Sequence, residues 1–382
     1  MDRDAAPEPG WRRVGPLLDR GWEKLTGVSG PTFVALVAAV AVLRSGIRTW
    51  VEQPTLDLVA AFPDPLPDWR ANSPLGVVLA AALGVDDVDG WVRLHAVALV
   101  VAAVVLVLGV LAGLAPGAPR RVAAVWLAVG SLPVVLLQKV GSYDAYAVVG
   151  AVLVVLPRRR GLAVLGGLVL GWTSPEQGAV GLVSAAIVLW ALEAETGGAA
   201  AALRRVRSLP LAGCLAAGLA GVVVARVAVI TWFRVSGVTV PGRDDLLTDL
   251  APESIRRAVG AGGAGVFTWL GLGWALVVLV ALVGRWRARP LAGLVAGLVV
   301  LPGAATILTL DGTRVFTMVS LPAVLVLLGW LAPRADDVAG ADRSVAVLVR
   351  RATVLALAVA PLVPALVVDT TGAVSFPFPW PA

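Results

Sequence analysis

Apolar residues run through this chain in long blocks separated by short polar connections, and within the blocks there is no amphipathic period. Runs of Ala, Val, Leu and Gly that are apolar on every side predict helices surrounded by lipid or by other helices. A membrane barrel would instead alternate with period two. About 20 apolar residues are needed to cross ~30 Å of hydrocarbon. On that scale the blocks predict about eleven spans, at roughly 30–48, 91–114, 122–141, 144–157, 161–174, 177–193, 209–233, 263–284, 291–310, 315–332 and 351–368. The predicted class is therefore all-α, a polytopic integral membrane protein with short interfacial helices in its external loops. One membrane domain covers 30–368, between an N-terminal segment, 1–29, and a tail, 369–382, rich in Pro and aromatic residues.

Two connections are long enough to hold structure of their own. The first, 49–90, carries Glu52, Asp57, Asp64, Asp68 and Asn72, followed by the apolar stretch Pro74 to Leu83. Ten apolar residues cannot span, so this stretch predicts an interfacial or re-entrant helix, started by Pro74 and capped by Ser73. The second, 234–262, holds Arg243, Asp244 and Asp245 and predicts a short helix from Pro252 to Val259.

Composition agrees with the pattern. Hydrophobic residues make up 58% and charged residues 15%, with mean hydropathy +0.88, whereas a soluble domain carries about a quarter charged residues. The net charge of +6 does not point to nucleic acid, because the basic residues fall in short clusters between spans. Those clusters are Arg12, Arg13 and Lys24; Arg120 and Arg121; Arg158 to Arg160; Arg204, Arg205 and Arg207; Arg285, Arg287 and Arg289; and Arg334 to Arg351. They all occupy one set of alternate connections, which by the positive-inside rule places the N-terminus in the cytoplasm and the C-terminus outside. Arginine greatly outnumbers lysine, which hints at bacterial coding and so at a bacterial cytoplasmic membrane. The single Cys214 lies in an apolar run and allows no disulfide framework. No short apolar core with a cleavage site opens the chain, so no removable signal peptide is expected.

The other connections collect residues capable of chemistry. They are Asp57 in the first loop, Ser142-Tyr143-Asp144, Thr173-Ser174-Pro175-Glu176-Gln177, and Asp311-Gly312-Thr313-Arg314. Each sets a carboxylate at one membrane face on a short turn, although Asp, Ser, Gly and Pro also serve any turn. Arg44, Lys139 and Arg226 lie inside apolar runs near the same face. An intramembrane cation is costly unless it snorkels or finds a partner. Snorkelling is expected for Arg44, whereas Arg226, Lys139 and Arg314 could cup a phosphate or form internal pairs with Asp144, Glu176 or Asp311. His95 is the only histidine and could carry a proton or simply pack. Cysteine and histidine are too few for a thiolate or imidazole metal site. A divalent cation on Asp57, Asp64 or Glu176 fits oxygen-ligand chemistry, though no spacing demands one. Tryptophans near the span ends read as an interfacial belt, with Trp50 and Trp69 also placed to stack on a sugar. The tail Phe376 to Pro381 is expected to be extended along the outer surface.

The first span followed by Asp57, the apolar stretch entered through Asn72-Ser73-Pro74-Leu75, and the charged outer turns together resemble the GT-C superfamily of polytopic glycosyltransferases. The chain departs from better-marked members: no Asp-x-Asp pair follows the first span and no large soluble domain closes it. The resemblance implies transfer of a sugar from a polyprenyl-phosphate donor to a glycan, lipid or protein acceptor at the external face, within a shell of membrane lipids and with no nucleic acid involved. No cofactor is then required. Asp57 would take the acceptor proton, with Asp64 or Glu176 as substitutes. Arg226, Arg314 and Lys139 would hold the phosphate, beside Asp311, Tyr143, Asp144, Gln177 and His95. Rival readings are a transporter or flippase of a lipid-linked or anionic substrate, an O-antigen-type polymerase or ligase, and a non-catalytic assembly partner.

Overall fold

The computed structural model describes residues 11–51, 53–197, 199–239, 243–307, 309, 311–336, 343–363, 365–368 and 374–375. Glu52 and the tail from Phe376 to Pro381 lie outside the described residues.

Helix dominates from the start. The charged N-terminal segment, in which the sequence suggested no element, contains helix α1 (Trp11–Gly27). Ser29 then caps α2 (Gly30–Ser45) by accepting the Thr32 N–H, and α1 and α2 meet at 120°. The first loop folds into α3 (Gln53–Ala61), a 3-10 turn (Trp69–Asn72) and α4 (Leu75–Ala82). Pro74 precedes α4 as expected, but the cap assigned to Ser73 is absent. Asp68 caps the preceding 3-10 turn instead, accepting from Arg70 N at 2.7 Å.

Then follow α5 (Val88–Gly113), α6 (Ala118–Val129), α7 (Leu132–Gln138), α8 (Asp144–Val155), α9 (Arg160–Thr173), α10 (Pro175–Gly197), α11 (Ala199–Ser208) and α12 (Pro210–Val235). The second long connection does not stop at the short helix expected from Pro252. It runs as α13 (Arg243–Leu270), with a kink at Gly262. The chain continues through α14 (Gly273–Val283), α15 (Ala288–Val295), a π-turn (Ala296–Val300), α16 (Leu301–Ile307), α17 (Gly312–Leu331) and α18 (Arg343–Val359). A two-residue antiparallel pair, Val367–Val368 with Val374–Ser375, follows α18.

Helix occupies all eleven predicted stretches, but among the described residues six helices are long and apolar enough to cross a membrane, or seven with the bent α1–α2 pair. The shortfall has two causes. Helices α8 and α9 have 12 and 14 residues, about 18–21 Å at 1.5 Å per residue, less than the ~30 Å of a hydrocarbon core. The stretches at 122–141 and 263–284 are each interrupted, at Gly130–Ser131 and at Leu270–Leu272. The last span also begins earlier than expected, so Arg343, Arg350 and Arg351 belong to its helix.

Helices α8 and α17 form the centre, with most residues of each buried. α5 shows the opposite extreme: Val97, Val100, Val101, Val104 and Leu108 are exposed along its length, a face suited to hydrocarbon rather than water. Small residues let neighbouring backbones approach. A Cβ on Gly150 of α8 would lie 2.8 Å from the Gly166 carbonyl of α9, and one on Gly166 would lie 2.5 Å from that of Gly150. Such pairs substitute for the hydrophobic drive that lipid does not supply.

The two sets of connections keep apart. Arg121 reaches the Leu25 and Val28 carbonyls at the α1–α2 bend, and Glu195 of α10 accepts the Arg285 N–H at 2.7 Å. Arg351 pairs with Asp19 at 2.6 Å. The acidic turns gather with one another instead: Trp91 donates to the Gly141 carbonyl at 2.8 Å, and Trp50 N–H donates to the Val140 carbonyl at 2.8 Å.

The interrupted stretch between α6 and α7 explains Arg44, expected to snorkel. Pro133 stands four residues after Val129 and has no N–H, so the Val129 carbonyl loses its helical donor. Arg44 replaces it: Nη1 donates to Val129 O at 2.6 Å and to Gly130 O at 3.0 Å. The guanidinium is buried at 6% exposure because it completes a broken backbone. Arg44→Met should leave both carbonyls unpaired at a cost of about 2 kcal/mol or more, seen as a lower melting temperature in detergent by tryptophan fluorescence. An unchanged melting temperature would show that the carbonyls find other donors.

Candidate functional site

The turn between α7 and α8 carries Lys139, Ser142, Tyr143 and Asp144, and the turn into α17 carries Asp311 and Arg314. The fold brings these turns together. Lys139 pairs with Asp311. Arg314 bridges two carboxylates, with Nε 3.0 Å from Asp144 Oδ1 and Nη1 3.3 Å from Asp311 Oδ2. Ser142 donates to the second Asp144 oxygen at 2.6 Å. Aromatic faces complete the group: Arg314 lies 4.6 Å from the Tyr143 ring centre, and Lys139 lies 5.0 Å from that of Trp50. Lys139, Asp144 and Asp311 are all buried. Two cations and two carboxylates thus neutralise one another, which is the condition for charge at this depth.

A second group lies beside the first. Arg226 of α12 donates to Asn72 Oδ1 at 2.8 Å, and its other guanidinium nitrogen is 3.9 Å from Glu176 at the start of α10. Gln177, the next residue, is partly buried. Asn72 ends the 3-10 turn, and its neighbour Ser73 borders a cavity of about 80 Å³. That cavity is also lined by Arg70, His95, Tyr143 and Arg314. Its walls come from the first loop, α5, the α7–α8 turn and α17, so elements far apart in sequence enclose one space. The volume is room for several waters or one phosphate-sized group.

The carboxylates assigned as proton acceptors fall elsewhere. Thr55 and Leu58 of α3 border the cavity, and Asp57, two residues from Thr55 and about 200° round the helix, is exposed. Asp64 is exposed in the turn after α3. Glu176 faces Arg226. Among the described residues no three His, Cys, Asp or Glu side chains group as they would around a metal ion.

His95 is almost wholly buried, at 1% exposure. Its Nδ1 is 3.0 Å from the Trp91 carbonyl, and the two rings are tilted by 34° with centres 4.1 Å apart. Sequence reading passed over Arg70, although it is the one basic residue in the whole first connection, 49–90. That isolation among acidic residues was its signal. It also passed over Tyr146, one of only two tyrosines, whose ring meets His95 edge-on at 5.5 Å.

No family model, curated protein or solved structure matches this chain.

Removing one partner of a buried pair costs about 3–5 kcal/mol, while replacing both with apolar groups costs far less. Lys139→Met and Asp311→Leu should therefore each lower folded yield and melting temperature, and the double variant should recover most of the loss. A double variant as damaged as the worse single would show that the pair does not carry the coupling.

Proposed function

We propose that this protein is a GT-C-like glycosyltransferase of the bacterial cytoplasmic membrane, taking a polyprenyl-phosphate-linked sugar at the external face. The observation that supports this most directly is the cavity bordered by Arg70 and Arg314, enclosed by the turns opposite the basic clusters. Two guanidinium groups beside one small space suit an oxyanion, since their planar forks match phosphate oxygens. The aromatic lining, Trp50, Trp91 and Tyr143, offers apolar faces to a sugar ring. In the transfer the acceptor oxygen bonds to the anomeric carbon, the carbon–oxygen bond to the carrier breaks, and the electron pair leaves on the lipid phosphate. Arg314 and Arg70 would meet that charge as it develops, and Lys139 and Asp311 would hold Arg314 in place.

The purified protein in liposomes, given a radiolabelled polyprenyl-phosphate sugar and a native membrane lipid extract, should move label from the donor into a new product. Arg314→Gln and Arg70→Gln should each slow that transfer about 100-fold or more, with Arg204→Gln at the opposite end as an unaffected control. Label that never leaves the donor would sink the proposal.

One observation favours the transporter reading. The interruptions between α6 and α7 and between α13 and α14 meet, with Gly130 bridged to Gly271, and transporters commonly bind substrate where helices are broken. Movement of intact labelled donor across the vesicle, without transfer, would establish that reading instead.

A further inference from the structure

A second space, about 480 Å³ in volume, lies between α2 and α5. Helix α2 packs against α6 and α7, and α5 against α6 and α8. The two helices thus form facing walls over a floor from α6, α7 and Val148 of α8. Small residues widen the groove, Ala38 and Ala41 on one wall, Ala102 and Ala103 on the other. Val34 and Val107 line it and are also exposed, so the space opens sideways. The walls run from Gly30 to Ala41 and from Leu99 to Leu111, about 17–19 Å at 1.5 Å per residue. One leaflet of hydrocarbon is about 15 Å deep, half of ~30 Å, so the groove has the length of a single acyl layer.

Its lining is glycine and apolar side chains except for Arg120 and Arg121 of α6. Both stand at one end. Arg120 donates to the Leu111 carbonyl at 2.7 Å and the Leu114 carbonyl at 3.1 Å, where α5 finishes. Arg121 donates to the Leu25 and Val28 carbonyls, just before α2 begins, and lies 5.0 Å from the Phe33 ring centre. Every one of these acceptors is neutral, and a helix end offers only about half a negative charge. Among the described residues neither arginine has a carboxylate partner, unlike Lys139 and Arg314 at the opposite turns. Nη1 of Arg120 and Nε of Arg121 take no part in these bonds, so each side chain keeps a donor. Two uncompensated cations at the end of an apolar groove call for an anion carried on an apolar chain.

We infer that this groove binds an anionic phospholipid of the adjoining leaflet, with an acyl chain between α2 and α5 and the phosphate on Arg120 and Arg121. The site is separate from the cavity bordered by Arg70 and Arg314 and does not depend on the glycosyl-transfer reading. Guanidinium forks match phosphate oxygens, and basic pockets between spanning helices take acidic headgroups. Charge selects the occupant: a zwitterionic lipid brings its own cation, which the two arginines repel. A polyprenyl-phosphate donor at the other membrane face would set its phosphate beside Arg70 and Arg314, away from this end of the groove. The bound lipid would join α2 to α5 and brace the α1–α2 bend that Arg121 holds.

The full-length protein, stripped of lipid in detergent, can be titrated with phosphatidylglycerol and phosphatidylcholine of identical acyl chains, counting bound lipid by native mass spectrometry. Phosphatidylglycerol should bind about tenfold more tightly or better and should raise the melting temperature, as a ligand of the folded state does. Arg120→Gln with Arg121→Gln should reduce its affinity to that of phosphatidylcholine, whereas the corresponding lysine pair should keep most of the preference and Arg204→Gln all of it. Since the glutamine pair also loses bonds to backbone carbonyls, a second pair tests the groove alone. Ala38→Leu with Ala103→Leu, both exposed positions, should fill the space and weaken phosphatidylglycerol binding about tenfold with the arginines intact. Equal binding of the two lipids overturns the inference, as does a preference that survives the glutamine pair or the leucine pair. Undecaprenyl phosphate that displaces phosphatidylglycerol and is itself excluded by the leucine pair assigns the groove to the carrier chain, and equally overturns it.

Discussion

The mutual neutralisation of Lys139, Asp144, Asp311 and Arg314 is the constraint around which one end of this protein is organised. Ionised groups taken out of water are tolerated when each finds an opposite charge and enough hydrogen bonds. Here the four charges come from two turns separated by about half the chain, so those turns must meet for either to be stable. Their meeting fixes the start of α8 against the start of α17, and these two helices form the most enclosed part of the bundle. The same pairing holds Arg314 rigidly across Tyr143, and so shapes one wall of the cavity. Stability and the candidate site thus depend on one set of contacts.

Backbone accounting imposes a second constraint, answered by Arg44. Irregular backbone at membrane depth is tolerated where protein surrounds it and supplies partners. Pro133 breaks the stretch that would otherwise run unbroken into Lys139, and Arg44 donates to the carbonyls that this exposes. The break leaves α7 as a seven-residue helix, which sets the height and direction of the turn carrying Lys139, Ser142 and Tyr143. The segment after α2 then pairs with that turn, Arg48 N–H donating to the Leu137 carbonyl at 2.8 Å and Val140 N–H to the Arg48 carbonyl at 3.0 Å.

Much of this was legible in the sequence, for physical reasons that also mark where reading stopped. Apolar blocks located the helical stretches because hydrophobicity is a property of the residues themselves. The number of full crossings was not legible, because a 12-residue buried helix such as α8 and a membrane-crossing helix share one composition, Ala, Val and Leu throughout. The charged turns opposite the basic clusters were recognisable as a group, and internal pairing of the cations with Asp144 and Asp311 was one of two roles open to them. Which carboxylate would meet which cation was not legible, since pairing depends on helix order in space. Asp57 was singled out by its place after the first span, but its direction depends on which face of α3 packs. Leu56, Leu58 and Val59 are the buried residues there, and they turn Asp57 outward. Arg44 was misjudged because its partner is a defect in another helix, created by Pro133, and not a charge.

The paired interruptions at Gly130 and Gly271 can be weighed against the cavity on structural grounds. Polar atoms around them are already engaged: Ser131 donates to the Trp269 carbonyl at 2.9 Å, Thr317 donates to Ser131 at 2.9 Å, and Arg44 occupies the carbonyls of Val129 and Gly130. A substrate arriving there would have to displace interactions that the backbone itself needs. The cavity, by contrast, is an open space of about 80 Å³ bordered by Arg70 and Arg314. The interruptions therefore act as scaffold.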